Sequence, residues 1–178
     1  MNSFEDLEKN CDEFVRVWNK PLRQNFRKKD LESRNEALIK IRSKALKQLL
    51  SASENWSWEE HQQLNNWLSK QLAHSQRKWF VTSFFSVVSL PDELFDAMIK
   101  AGVLEKCPSS KRAFVEICLK HQGLQAVLES LVNFVKVGSN TEKAGAIQAR
   151  YWATDFKNDS ALKPLKLEFR ELILDEFI

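Results

Sequence analysis

Residues 124–151 read LQAVLESLVNFVKVGSNTEKAGAIQARY, and they contain two amphipathic helices joined by a short turn. In the first helix, apolar residues recur every three or four positions, as on one face of an α-helix; they are Leu124, Val127, Leu128, Leu131 and Val135. Gly138 ends that pattern, and Ser139 with Glu142 matches the capping box that starts a helix. The second helix contains Ala144, Ile147 and Tyr151. The stretch therefore predicts a helix, a short turn and a second, antiparallel helix.

Similar units are expected on both sides of this stretch. The first helix of each pair is predicted to start near residues 58, 92, 124 and 161, at intervals of 34, 32 and 37 residues. Such intervals are typical of solenoid proteins, whose repeats bury their apolar faces by stacking on one another. Only four glycines and four prolines interrupt the 178 residues, and no Asn-Gly or Asp-Gly pair marks a β-hairpin. We predict an all-α fold, a right-handed α-solenoid of antiparallel helix pairs with about eight or nine helices.

The chain is expected to divide into two regions. Residues 1–56 hold amino-terminal helices with a basic connector, and residues 57–178 form one continuous domain of helical repeats, which opens with a capping box of Ser57 and Glu60. Residues 79–88 are apolar almost all round their helix, which predicts that this helix is buried on every side. The tryptophans predicted to lie in the core are Trp18, Trp67 and Trp79.

A family resemblance rests on three stretches of the repeat region. Residues 142–153, EKAGAIQARYWA, resemble a turn and the small-residue-rich helix of HEAT-like repeats. Residues 94–99, LFDAMI, and residues 112–118, RAFVEIC, look similar to the preceding units of bacterial HEAT-like proteins. The resemblance covers about residues 58–178. It implies a scaffold or immunity-type protein that works without a cofactor, with DNA glycosylases that have a basic concave groove as the alternative.

The sequence contains no pattern that points to catalysis. The three histidines and three cysteines have no spacing typical of a metal site or a nucleophilic pair, and no glycine-rich phosphate loop is present. We therefore expect no enzyme activity, metal or cofactor. The odd cysteine count and the absence of a signal-like amino terminus favour a cytoplasmic protein with reduced thiols. The longest apolar stretch, residues 79–90, is shorter than the ~20 residues of a membrane span, so no membrane insertion is expected.

Aromatic and charged residues near predicted turns are the candidates for binding a partner. We predict that another protein is bound by Trp56, Trp58, Arg150, Trp152 and Asp155. Tryptophan and arginine often dominate the binding energy of interfaces, although packing in the core is the alternative role for each tryptophan. In the glycosylase alternative, Asp155 would be the carboxylate beside a displaced base.

A second candidate surface is basic. Residues 16–47 contain eleven lysines or arginines against three acids, a local charge of +8 in a chain of net charge +3. Its centre is Arg23, Arg27, Lys28 and Lys29. Clustered cations release counterions from phosphates, so weak, non-specific nucleic-acid binding is expected here. The residues after position 50 carry fifteen bases and sixteen acids, which disfavours a continuous phosphate track along the repeats.

Overall fold

Helices account for all of the regular structure in the described ranges. The computed structural model describes residues 3–20, 28–53, 56–153 and 163–176. Its helices are α1 (Ser3–Trp18), α2 (Lys28–Ser53), α3 (Trp58–Ala73), α4 (Lys78–Phe85), α5 (Phe95–Val103), α6 (Pro108–Val137), α7 (Asn140–Arg150) and α8 (Lys163–Glu176). Short 3-10 turns precede α5 at Asp92–Leu94 and follow α7 at Tyr151–Ala153. Because these ranges contain no strand, the predicted all-α class is confirmed.

The helices form two compact units, Met1–Val87 and Val88–Ile178. In the first unit, α4 contacts both α1 and α2, and α3 contacts α4. Helices α3 and α4 therefore group with the amino-terminal helices, and the first compact unit ends at Val87.

Apolar faces of all four helices build the core of the first unit. Its buried side chains are Leu7, Cys11 and Phe14 of α1, Leu38, Ile41 and Ala45 of α2, Leu68 and Leu72 of α3, and Phe80, Val81, Phe84 and Phe85 of α4. The capping box predicted for α3 is present, since the Ser57 hydroxyl accepts from the Glu60 amide and the Glu60 carboxylate accepts from the Ser57 amide. Most residues of α4 are buried as predicted, but Trp79 and Ser83 are only half-buried, and Val87 beyond the end of the helix is half exposed. The helix is therefore buried on most sides and not on every side.

Trp18 is an exception to the predicted core. Its side chain is 38% exposed at the carboxyl end of α1. The indole stacks on Phe14 on one side and on Trp79 on the other, with ring centroids 6.0 and 5.7 Å apart. The Arg34 guanidinium lies 5.9 Å from the Trp18 ring. Trp18 therefore covers the edge of the core and is not enclosed by it.

In the second unit, α6 contacts α5, α7 and α8. Helix α6 is interrupted at Gly123, where the backbone has a φ of 79°. Only glycine takes up that left-handed conformation without steric cost, so the residue joins two straight segments, 108–122 and 124–137. The predicted apolar stripe of the second segment is buried at Val127, Leu128, Leu131 and Val135.

Small residues bring α7 against α5. The buried side of α7 consists of Gly145, Ala146 and Ala149, whereas Tyr151 just after the helix is exposed. A Cβ atom placed on Gly145 would lie 2.0 Å from the Val103 carbonyl oxygen. Lys111 is also buried here, and its ammonium group donates to the carbonyl oxygens of Gly102 and Val103 at the carboxyl end of α5. A cation in this position stabilises the negative end of the helix dipole.

Candidate functional site

Three side chains from two elements meet where α7 ends. The Trp152 indole donates a hydrogen bond of 2.9 Å to the Pro108 carbonyl oxygen in the first turn of α6. The Arg112 guanidinium, one turn further along α6, lies 5.5 Å from the centroid of the Trp152 ring. Tyr151 packs edge-on against Trp152, with ring centroids 5.0 Å apart. We call these three residues the Tyr151 cluster.

The Tyr151 cluster presents a fixed aromatic surface to solvent. Tyr151 is 71% exposed, while Trp152 beneath it is half-buried. Arg112 is held from its other side by an ion pair of 2.6 Å with Glu116, one turn along the same helix. The planar groups are therefore positioned before any partner arrives, and they require little further ordering on binding.

Two further predicted binding residues, Arg150 and Asp155, lie on either side of Tyr151 and Trp152 in the sequence. The Arg150 guanidinium lies 5.0 Å from the Phe169 ring of α8, and Phe169 is fully buried. Burial lowers the pKa of Arg150 below its ordinary value. Arg150 thus packs α7 against α8, and it is not among the residues that the end of α7 presents to solvent. Asp155 lies outside the described residues.

The remaining predicted aromatics belong to the first unit. Trp58, at the first position of α3, is 71% exposed. Trp56 is half-buried, because it stacks on Phe4 with ring centroids 5.8 Å apart and meets His61 edge-on. Of the two, only Trp58 offers most of its ring to solvent.

The predicted basic patch is described only at its carboxyl end. Arg23 and Arg27 lie outside the described residues, and Lys28 and Lys29 are exposed in the first turn of α2. Lys28 forms a long ion pair of 3.9 Å with Glu32. Further along α2, Lys40, Lys44 and Lys47 are exposed on one helix face. The charge count of residues 16–47 included these lysines, but their common face was not predicted.

Cys107 is a chemically distinct residue that the sequence reasoning did not identify. It is exposed at the amino-terminal cap of α6, and its sulfur lies 3.2 Å from the Ser109 hydroxyl. Hydrogen bonds from Ser109 and then Ser110 lower the pKa of the Cys107 thiol to about 7. Burial instead raises the pKa of Cys11 to about 12, and it raises that of Cys118 still further. The available signal was the sequence Cys-Pro-Ser-Ser at residues 107–110, since proline is common at the first position of a helix.

A shallow groove of about 450 Å³ runs between the end of α5 and α7. Leu104, Lys106, Thr141 and Gln148 line it together with Lys111. Among the described residues, no three His, Cys, Asp or Glu side chains are grouped so that they could hold a metal ion. Within the same ranges, none of the helices combines the length and the apolar character needed to cross a bilayer.

Comparison of the chain with protein-family models, with curated proteins and with solved structures found no match.

Proposed function

We propose that the chain is a non-catalytic protein-binding α-solenoid, a scaffold or immunity-type interaction protein, whose partner docks on the Tyr151 cluster. The observation that carries the proposal is the exposure of Tyr151 above a tryptophan and an arginine that are already held in place. Tyrosine, tryptophan and arginine are the three residue types enriched at the energetic centres of protein interfaces.

The helix pairs support the solenoid part of the proposal. Helices α3 and α4, α5 and the first segment of α6, and the second segment of α6 and α7 follow one another as helix–turn–helix units. The Tyr151 cluster lies at the turn that follows the last of these helix pairs.

The geometry of the cluster favours a protein over a small molecule. The Tyr151 ring projects outward from the end of α7 and is not enclosed in a pocket, so a partner must bring its own concave surface. The nearby Arg112–Glu116 ion pair supplies both signs of charge around the ring, as in the polar rim of an interface.

Quantitative affinity capture from the native host tests the proposal. Tyr151→Ala should remove the partner from the captured proteins, and with purified partner it should weaken binding by about 2 kcal/mol, roughly thirtyfold. Trp58→Ala is the matched control, because it removes an aromatic ring of equal exposure from the other unit. A partner that is lost with Trp58→Ala and retained with Tyr151→Ala would refute the assignment of the site.

A nucleic-acid-binding function is the alternative, and the exposed lysines of α2 favour it. Lys40, Lys44 and Lys47 succeed one another at spacings of four and three residues, about 6 and 4.5 Å along the helix axis. Titration of duplex DNA at two salt concentrations separates the two functions. Submicromolar binding near physiological salt, abolished by neutralising Arg23, Arg27, Lys28 and Lys29, would promote this alternative above protein binding.

A further inference from the structure

The outer face of α8 carries two exposed leucines whose spacing is regular. Leu167 and Leu174 are 46% and 51% exposed, and they are seven residues apart. Two helical turns separate them, so they lie on the same face about 10.5 Å apart along the axis. Phe169, on the opposite face, is fully buried, and Glu168 pairs with Lys136 of α6 at 2.5 Å. The inner side of α8 therefore packs on the second unit, and among the described residues no contact is seen on the side that carries Leu167 and Leu174.

Two exposed charges lie between these leucines. Arg170 and Glu171 are adjacent in sequence, and adjacent residues on a helix do not face each other. The residues three and four positions before and after Arg170 are Lys166, Leu167, Ile173 and Leu174. Because none of them is acidic, Arg170 has no opposite charge within reach on its own helix.

The order of charges along α8 is unfavourable for an isolated helix. Its first turn contains Lys163 and Lys166 and no acidic residue, and its last turn contains no basic residue. The positive end of the helix dipole lies at the amino terminus, where cations are destabilising. A neighbour that places negative charge beside the first half of α8 would offset this cost.

We propose that the outer face of α8 binds the same face of a second copy of the chain, in an antiparallel arrangement. The two-fold axis passes midway between Arg170 and Glu171, so residues equally distant from that point lie level with each other. Leu167 of each copy then meets Leu174 of the other, and Arg170 of each copy meets Glu171 of the other. The acidic half of each helix also lies beside the basic half of its neighbour. This surface is separate from the Tyr151 cluster, and the proposal does not depend on the proposed function.

The contact area sets the strength of the dimer. The surface area that four half-exposed leucines and two ion-pair sites can bury is well below the roughly 1,200 Å² that stable complexes bury. The dimer is therefore weak and reversible, and it weakens further at high salt because its ion pairs are exposed.

Sedimentation velocity on the full chain, from about 10 μM to about 1 mM and at low and high salt, measures the self-association expected of such a small interface. Arg170→Glu should weaken the dimer about tenfold or more, because each of the two ion pairs between the copies then becomes a pair of facing carboxylates. Glu171→Arg should do the same through two facing guanidinium groups. The double variant Arg170→Glu/Glu171→Arg should restore the dimer, and an equimolar mixture of the two single variants should form a heterodimer.

Controls distinguish the interface from general effects of charge or folding. Lys120→Glu makes the same charge change on α6, and Leu104→Ala removes a leucine that is 43% exposed at the end of α5. Both should dimerise like the unaltered chain, whereas Leu167→Ala should weaken the dimer about tenfold. Circular dichroism checks that each variant keeps its helical content. A chain that stays monomeric throughout, or a dimer that Arg170→Glu leaves unchanged, would overturn the proposal.

Discussion

Tyr151 and Trp152 are neighbours with different roles. Trp152 is half-buried and donates its indole hydrogen to Pro108, so it holds the end of α7 against the start of α6. Tyr151 contacts Trp152 with one edge and leaves 71% of its side chain in solvent. Most of the Tyr151 side chain is therefore accessible to a bound partner.

The different roles of Tyr151 and Trp152 predict that their substitutions change stability by different amounts. Tyr151→Ala should change the free energy of unfolding by less than about 0.5 kcal/mol, as surface substitutions usually do. Trp152→Ala should cost about 1–3 kcal/mol, because it removes a hydrogen bond and the ring contacts with Arg112 and Tyr151. Urea unfolding of the two variants measures the difference. Equal losses of stability would mean that Tyr151 has a structural role.

The three thiols should differ in reactivity. The pKa of Cys107 is about 7, so half of this exposed thiol is thiolate near neutral pH. Since the thiolate is the nucleophile, the alkylation rate of Cys107 should rise with pH and reach half of its maximum near pH 7. Cys11 and Cys118 are buried and should react only when the chain unfolds.

Mass spectrometry of alkylated peptides at several pH values tests this order. Ser109→Ala should move the midpoint for Cys107 to higher pH, because it removes the largest cause of the lowered pKa. A midpoint near the ordinary thiol value of about 8.5 in the unaltered chain would contradict the expected effect of the serine hydroxyls.

The close contact between α5 and α7 depends on the absence of a side chain at Gly145. Gly145→Ala should lower the free energy of unfolding by about 1–3 kcal/mol, because a backbone carbonyl cannot move aside as a flexible side chain would. Ala144→Ser is the control, since Ala144 is exposed one residue earlier on the same helix. If both variants unfold at the same urea concentration, α5 and α7 do not pack as closely at Gly145 as described.

An ion-pair network connects α1 with α3 and α4. Arg77 binds Glu8 and Asp12, each at 2.5 Å, and Glu8 also accepts a hydrogen bond from the Trp67 indole. That hydrogen bond is the main cause that lowers the pKa of Glu8, opposed by burial and assisted by Arg77. A carboxylate whose pKa is lowered by folding stabilises the fold above its unfolded pKa, and this contribution is lost as the pH falls through the folded pKa.

Glu8→Gln should therefore be less stable than the unaltered chain at pH 7, by about 0.5–1 kcal/mol because the pair is partly exposed. The difference should begin to shrink as the pH falls below the unfolded value of about 4.3, and it should disappear only below the lowered pKa of the folded carboxylate. Glu13→Gln is the control on the same helix, since Glu13 lies 3.9 Å from Arg16. A deficit that stayed constant from pH 7 to pH 3 would contradict the electrostatic origin.

Sequence patterns predicted the helices well because their ends carry strong local signals. The capping boxes at Ser57 and Ser139 are present where they were expected. These signals act within one turn of helix, so they do not depend on the tertiary structure.

The packing of side chains was harder to predict because it depends on distant elements. The buried side of α7 is made of glycine and alanine, which carry little weight in a hydrophobic pattern, whereas the predicted pattern included Tyr151, which is exposed. Trp18 resembled a core residue by spacing, yet its position at the end of α1 leaves it half covered. Likewise, Trp152 was identified as a candidate, but its partners Pro108 and Arg112 lie about 40 residues earlier in the chain.

At the scale of the whole molecule, each compact unit has its own buried core. The second unit buries Leu94, Met98, Phe114, Leu128 and Phe169, all contributed by its own helices. A fragment of residues 88–178 should therefore fold alone with a cooperative urea transition. A fragment with helical content but no cooperative transition would show that this unit needs the rest of the chain.

Hydrogen–deuterium exchange of the chain, with and without its captured partner, measures whether a protein partner docks on the Tyr151 cluster. The proposal predicts that the partner slows exchange in the peptides around residues 108–116 and 148–153, which carry the cluster. Peptides of α3 around Trp58 should be unchanged. Slower exchange confined to α2 or to the start of α3, with the end of α7 unaffected, would contradict the claim.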